Sequence, residues 1–274
     1  MSAPSVPGPE SGLTRIDTSR PHPARVYDYI LGGKNNYPVD EQLAVQILDI
    51  DPTVATSAKV NRLFMHRATE WLARAGTRQF LDIGTGIPTE PNLHQVAQRI
   101  APDSRVVYTD NDPIVLRHAE ALLRSTPEGA THYLEADVRE PGKIIDLAAE
   151  VLDLNRPVAL SLISLMHFIP DEQGAYDLVR GLIDALAPGS HLVFSHATAD
   201  GSEEEAERVV ALYREGGVTL RPRTRAEVAR FFHGLEPVGP APVLVSHWRP
   251  DAETEELAPD DPPVTVYAGV ARKP

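Results

Sequence analysis

The chain has 274 residues, 42% of them hydrophobic, a formal charge of −13 and no cysteine. That length admits one large domain or two small ones with a sizeable core, and the absence of thiols excludes disulfides, thiolate metal sites and a cysteine nucleophile. The negative field disfavours nucleic acid and anionic membranes as partners. No apolar run is long enough to cross a bilayer, and the opening "MSAPSVPGPESG" lacks the basic and apolar regions of a signal peptide. A cytoplasmic protein is the expectation.

Residues 1–20 are rich in Pro, Ser and Gly and predict a mobile tail. "RVYDYIL" predicts a helix, followed by Gly32 and Gly33 and the donors Lys34, Asn35 and Asn36. From Val39 to Gly76 the pattern is helical, with Leu43, Ile47 and Leu48 on one face and a boundary at Pro52 before a helix over about 53–75. From Gln79 short apolar runs alternate with helical stretches: strands are predicted at 80–83, 105–109, 131–136, 158–164 and 191–196. That alternation argues for a parallel sheet with helices on both faces. Capping boxes at Ser202/Glu205 and Thr224/Glu227 open two further helices, with Gly216 and Gly234 as stops. The chain ends on two predicted strands, 242–248 and 264–272, joined by an acidic, Pro-rich connector and most simply paired antiparallel. The organisation expected is a tail over 1–20, a helical segment over 21–76 and a sheet domain over 77–274.

The chemistry gathers at the strand ends. "LDIGTGIPT" follows the first strand, and Gly84, Thr85 and Gly86 form a turn that a backbone can use to approach a ligand. A glycine turn after a strand also occurs with no ligand. The third glycine of a dinucleotide fingerprint is replaced by Thr89, and Asp82 just before the turn opposes a pyrophosphate. A carboxylate there suits a ligand with positive charge, such as S-adenosylmethionine; otherwise it bonds the loop amides. Asp110, 24 residues past Gly86, stands where an acidic side chain accepts both ribose hydroxyls, with Asn111 or Asp112 sharing that role. Asp112 before Pro113 also reads as a plain helix cap. Asp137 can accept from an adenine amino group and the Val138 amide can meet a ring nitrogen; alone, Asp137 reads equally as a turn residue. Three acidic strand tips in succession are harder to obtain by chance.

"FLDIGTGIPT", "VYTDND", "EADVRE", "SLISLMHFIPD" and "LAPGSHLVFSH" together resemble the ordered motifs of class I S-adenosylmethionine-dependent methyltransferases, and "RVYDYILGGKNNYPVD" resembles the N-terminal signature of an actinobacterial methyltransferase family long filed as a domain of unknown function. The resemblance implies an α/β, Rossmann-like fold with a seven-stranded, mostly parallel sheet, a terminal antiparallel hairpin and a helical N-terminal extension. It implies S-adenosylmethionine as methyl donor and S-adenosylhomocysteine as product; it does not define the methyl acceptor, for which a small molecule is the leading expectation. It also puts "SLISLMHFIPD" beside the methionine half of the donor, with Ser161 to Ser164 facing its ammonium group. His167 matches a histidine frequent at this point in the superfamily. It is a candidate general base near neutral pH, or a packing residue at a helix start. The other histidines show no metal-ligand spacing.

Methyl transfer is a direct displacement that proceeds by holding donor and acceptor in line, and a base is needed only when the acceptor must lose a proton. The segment around Gly32 and Gly33 reads either as a connector between helices or as a lid over the donor. As a lid it would contribute Tyr27 and, for the methionine carboxylate, Arg25 or Lys34. A non-catalytic S-adenosylmethionine-binding protein and a nicotinamide-dependent oxidoreductase are the competing readings, the latter opposed by Asp82 and Thr89.

Overall fold

The structure, a computed structural model, describes residues 17–115, 117, 124–248 and 264–274. Most of the expected tail, most of the acidic connector and much of the helix predicted after Asp112 lie outside the described residues. Residues 17–20 are held in place: the Arg25 guanidinium donates to the carbonyls of Asp17 at 3.1 Å and Arg20 at 2.8 Å.

Five parallel strands form the centre of the sheet: β1 (Gln79–Ile83), β2 (Arg105–Asp110), β3 (Ala130–Glu135), β4 (Ala159–Ile163) and β5 (His191–Ala197). They lie in the order β3-β2-β1-β4-β5. Three further strands complete the sheet, all pairing antiparallel: β6 (Glu236–Pro237), β7 (Val243–Leu244) and β8 (Val266–Arg272), with β8 pairing β5, β6 and β7. The sheet has eight strands where seven were expected. The long strand predicted at 242–248 is confined to two residues because the chain turns after Leu244, the His247 amide donating to the Leu244 carbonyl at 2.8 Å. Trp248 is fully buried and packs edge-on to Phe64 with ring centroids 5.3 Å apart.

Strand β1 shows why both sheet faces are covered. Leu81 and Ile83 join one core with Leu160 and Leu162 of β4, under α5 (Pro141–Ala148) and α6 (Ala175–Asp184). Phe80 joins the other, with Phe64, Met65, Ala68 and Leu72 of α3 (Thr53–Arg74) and with α4 (Leu93–Ile100). Strands buried on both faces read as continuous apolar runs, as these do. A third cluster packs α1 (Pro23–Ile30) and α2 (Pro38–Ile50) on α7 (Glu203–Glu215) through Val26, Ile30, Leu43, Ile47 and Tyr213.

The Thr224/Glu227 capping box forms at the start of α8 (Arg225–Ala229), with Glu227 N–H donating to Thr224 at 3.3 Å and Thr224 N–H to Glu227 at 2.8 Å. The Ser202/Glu205 box does not: Ser202 makes no side-chain cap, and Glu203 instead accepts from the Gly201 amide at 3.2 Å. At the other end of α7 the left-handed turn falls on Gly217 rather than Gly216.

Candidate functional site

β2 and β4 flank β1, so the chain departs to opposite sides of it and a crevice opens at the carboxyl ends of β1 and β4. A cavity of about 480 Å³ fills it. Strand order places the tips of β1, β2 and β3 on one side and the loops after β4 and β5 on the other, and the start of α1 reaches the first side, where His22 meets Asp112.

On the first side Asp82, Asp110 and Asp137 stand in a row, each lining the cavity with Gly84, Thr85, Gly86, Asn111 and Val138. The Thr85 hydroxyl donates to the Asp82 carbonyl at 3.1 Å. The amides of Gly86 and Asp112 donate to the two oxygens of Asp110 at 2.8 and 3.0 Å. Each carboxylate oxygen accepts more than one bond, so Asp110 keeps acceptor capacity toward the cavity. Asp112 caps the helical turn at 113–115 through the Ile114 amide at 2.9 Å and meets His22 Nδ1 at 3.2 Å. Asp137 accepts from Asn111 Nδ2 at 2.9 Å and from the Arg139 amide and guanidinium at 2.9–3.2 Å. Partial burial works to raise its pKa, but these donors outweigh burial and hold it low. Burial raises Asp110, opposed by its two amide bonds and by His22. Burial pushes Asp82 up to about 7, the nearby Arg62 guanidinium and Thr85 pulling against it and Asp110 adding repulsion.

The two glycines of the turn differ. Gly84 has φ +72° and a Cβ on it would lie 2.7 Å from the Leu165 side chain, so the turn after β1 and the loop after β4 are in contact here. A Cβ on Gly86 would meet nothing nearer than the Ala24 methyl at 4.0 Å, leaving open space over the turn.

The loop after β4 opens on Ser164, the one non-glycine residue with positive φ among the described residues, at 52°. Its amide donates to Ser195 Oγ at 3.0 Å and its hydroxyl accepts from Asn61 Nδ2 at 2.8 Å. Ser164 lines the cavity; Ser161 does not, being a buried strand residue in register with Asp82. His167 lines the cavity. Burial, then the charge of Arg223, lowers its pKa to about 3. Its Nδ1 accepts the Ala197 amide at 3.3 Å, which leaves the ring proton on Nε2.

The glycine pair is a folded connector. Gly32 takes φ +84°, and a Cβ on Gly33 would overlap the Asp28 carboxylate. That carboxylate accepts from the Asn35 amide and the Asn36 side chain, both at 2.8 Å. Lys34 is exposed and does not line the cavity, and Arg25 is buried against Asp40 at 3.1 Å with each terminal nitrogen donating to a backbone carbonyl. Neither cation reaches the site. Of the three expected lid residues only Tyr27 lines the cavity, its hydroxyl donating to the Ala58 carbonyl at 3.1 Å and accepting from Asn61. The face that closes over the sheet is α1 itself, through His22, Pro23, Ala24, Tyr27 and Ile30.

Sequence reasoning missed Asn61 and Arg62 of α3, both lining the cavity. Arg62 donates to the carbonyls of Thr89 and Pro91 at 2.6 and 3.0 Å and is the cation beside Asp82. A signal existed for Asn61: it shares the stripe of Ser57, Phe64, Ala68 and Leu72, where an amide is out of place unless partnered.

A family described as S-adenosyl methyltransferase matches residues 9–274 of the chain. A DUF574 family protein from Streptomyces avermitilis is 49% identical, the match covering 95% of this chain and all of that one with a TM-score of 0.91. A protein from Thermobifida fusca is 38% identical over 97% of this chain and 98% of its own, with a TM-score of 0.84. An S-adenosylmethionine-dependent methyltransferase from Anabaena variabilis, 14% identical over 96% and 99% of the two chains, shares the fold at a TM-score of 0.51. No curated protein matches.

Proposed function

The chain belongs to the S-adenosyl methyltransferase family, and from that premise we propose that it transfers the methyl group of S-adenosylmethionine to a small-molecule acceptor enclosed in the cavity over β1–β5. The observation that supports this most is the continuity of one cavity from the row of strand-tip carboxylates to an apolar chamber under α1, α2 and α7. The open space over Gly86 and the free acceptor capacity of Asp110 suit an adenosyl group.

In this reading Asp110 takes the ribose hydroxyls with Asn111, Asp137 and the Val138 amide meet the adenine edge, and Asp82 faces the ammonium group with Thr85 and Ser164 at its sides. Arg62 takes the place first given to Arg25 and Lys34, as the cation for the methionine carboxylate. The donor supplies a methyl carbon on positively charged sulfur. The protein's part is to orient the two reactants and exclude water, with the α1 face of the 21–76 segment as cover and His167 as a hydrogen-bond donor. We place the reaction in the cytoplasm.

The test is release of S-adenosylhomocysteine from S-adenosylmethionine in a cell extract split by ultrafiltration. Release dependent on the low-molecular-mass fraction is expected; release only with the macromolecular fraction would reject a small acceptor.

A further inference from the structure

Beyond the carboxylate row, the cavity runs into a chamber walled by Ile30, Ile47, Val54, Phe168, Tyr213 and Leu220. Ser57, Asn61, Ser202 and Thr219 also line the cavity, and two further polar groups stand out on this surface. Asp51, between α2 and α3, spends one oxygen on the amide and hydroxyl of Thr53 and makes no ion pair among the described residues. Tyr213 is only 8% exposed, and its hydroxyl has no hydrogen-bond partner among the described residues. Burial raises its pKa, so the hydroxyl keeps its proton and two acceptor lone pairs.

The chamber is equally defined by what its other polar residues are bound to. The basic side chains that line the cavity sit with the carboxylate row: Arg62 beside Asp82, Arg139 on Asp137, His22 on Asp112. His167 has its one lone pair on the Ala197 amide. An anionic acceptor would therefore enter apolar walls beside Asp51 with no counterion, which is costly. An alcohol would need a base to take its proton, and His167 cannot be that base. An amine needs neither, because its uncharged nitrogen already carries a lone pair.

Resting on the methyltransferase reading, we propose that the acceptor is an apolar amine, its hydrocarbon body in the chamber and its nitrogen selected by Asp51 and the Tyr213 hydroxyl. The ammonium form, held by Asp51, gives one proton to water before reaction, a loss that the apolar walls favour and the Asp51 carboxylate opposes. The nitrogen lone pair then forms the bond to the methyl carbon as the carbon–sulfur bond breaks. The electrons of that bond stay on sulfur, which becomes the neutral thioether. The new ammonium keeps the charge until it sheds a second proton to water.

The experiment titrates the full chain, saturated with S-adenosylhomocysteine, with matched probes: butylamine, hexylamine and 2-phenylethylamine, the corresponding alcohols, and the corresponding carboxylic acids. At least one amine is expected to bind about tenfold or more tighter than its alcohol, with its acid weakest, and Asp51→Asn should erase the preference for amine over alcohol. Asparagine caps a helix as well as aspartate does, so the fold should survive, and S-adenosylhomocysteine titration of the same variant checks that. Tyr213→Phe should weaken the amine by about threefold or more. Tighter binding of an alcohol or acid, absence of saturable amine binding, or an amine preference that survives Asp51→Asn would overturn the proposal. If S-adenosylhomocysteine itself fails to bind, it is the methyltransferase reading that falls; if it binds and no amine preference appears, only the acceptor class falls.

Discussion

The backbone N–H of Gly86 donates to Asp110 at 2.8 Å, so the turn after β1 and the tip of β2 hold one another in place before any ligand arrives. The same carboxylate that would take the ribose thus also shapes the turn beneath it. Asp110→Ala should weaken S-adenosylhomocysteine binding by roughly 1.5–3 kcal/mol, the worth of hydrogen bonds to a charged group. It should also lower stability, because the Gly86 and Asp112 amides lose their acceptor. Calorimetry and urea denaturation read the two effects separately, and undiminished affinity in a folded variant would remove Asp110 from the site.

Gly84→Val should abolish donor binding through the loop rather than through the ligand's space. Its Cβ would press on Leu165, and its φ of +72° is one that a branched residue resists, at about 1–2 kcal/mol. Soluble protein with a lowered denaturation midpoint and no measurable S-adenosylhomocysteine binding is the expected outcome. Wild-type affinity would mean that the turn tolerates displacement and that Leu165 is not what constrains it.

Asp82→Asn should separate stability from binding. The folded pKa of about 7 lies above the ordinary 3.8. The stability this group contributes is therefore complete below about pH 4 and is lost as pH rises through 7. At pH 8 the variant should be more stable than wild type by on the order of 2 kcal/mol, with the difference vanishing near pH 4. With Asp82 facing the ammonium group as proposed, S-adenosylhomocysteine binding should fall about tenfold in wild type from pH 8 to pH 6 and lose that slope in the variant. Parallel pH profiles of affinity for the two proteins would show that Asp82 does not meet a cation.

His167 shifts the other way. Its folded pKa of about 3 is below the ordinary 6.5, so its contribution to stability is present above pH 6.5 and lost as pH falls through 3. His167→Gln should reduce acid sensitivity across that window while retaining turnover within about tenfold, since a lost hydrogen bond of about 1 kcal/mol, and no general base, is at stake. A loss of turnover by about a thousandfold, recovered in alkaline buffer, would restore the base.

Most of the sheet was readable because β1, β2, β4 and β5 are buried on both faces and so read as apolar runs, whereas β3, at the edge of the order, is only half-buried. Asp82, Asp110 and Asp137 were readable because ligands in such sheets meet the carboxyl ends of the strands. What the sequence hid depends on contacts across the chain. Glu236–Pro237 carries no strand pattern and pairs only because β8 offers an edge. Arg25 and Arg62 are both arginines on helices; Asp40, 15 residues on, claims the first, while α3 lays the second beside Asp82. The segment around Gly33 reads as lid or connector alike because nothing in its sequence shows that Asp28 folds back beneath it.

The methionine carboxylate needs a cation, and Arg62 is the one proposed for it. Titration of the full chain with S-adenosylhomocysteine, in wild type, Arg62→Ala, Arg25→Lys and Lys34→Ala, addresses that choice in one set. One-to-one binding by wild type is expected, weakened by tenfold or more in Arg62→Ala and unchanged in Lys34→Ala, with Arg25→Lys showing lowered stability before any loss of affinity. Full affinity in Arg62→Ala, or a loss confined to Lys34→Ala, would contradict the site as drawn here and return the methionine carboxylate to the connector around Gly32 and Gly33.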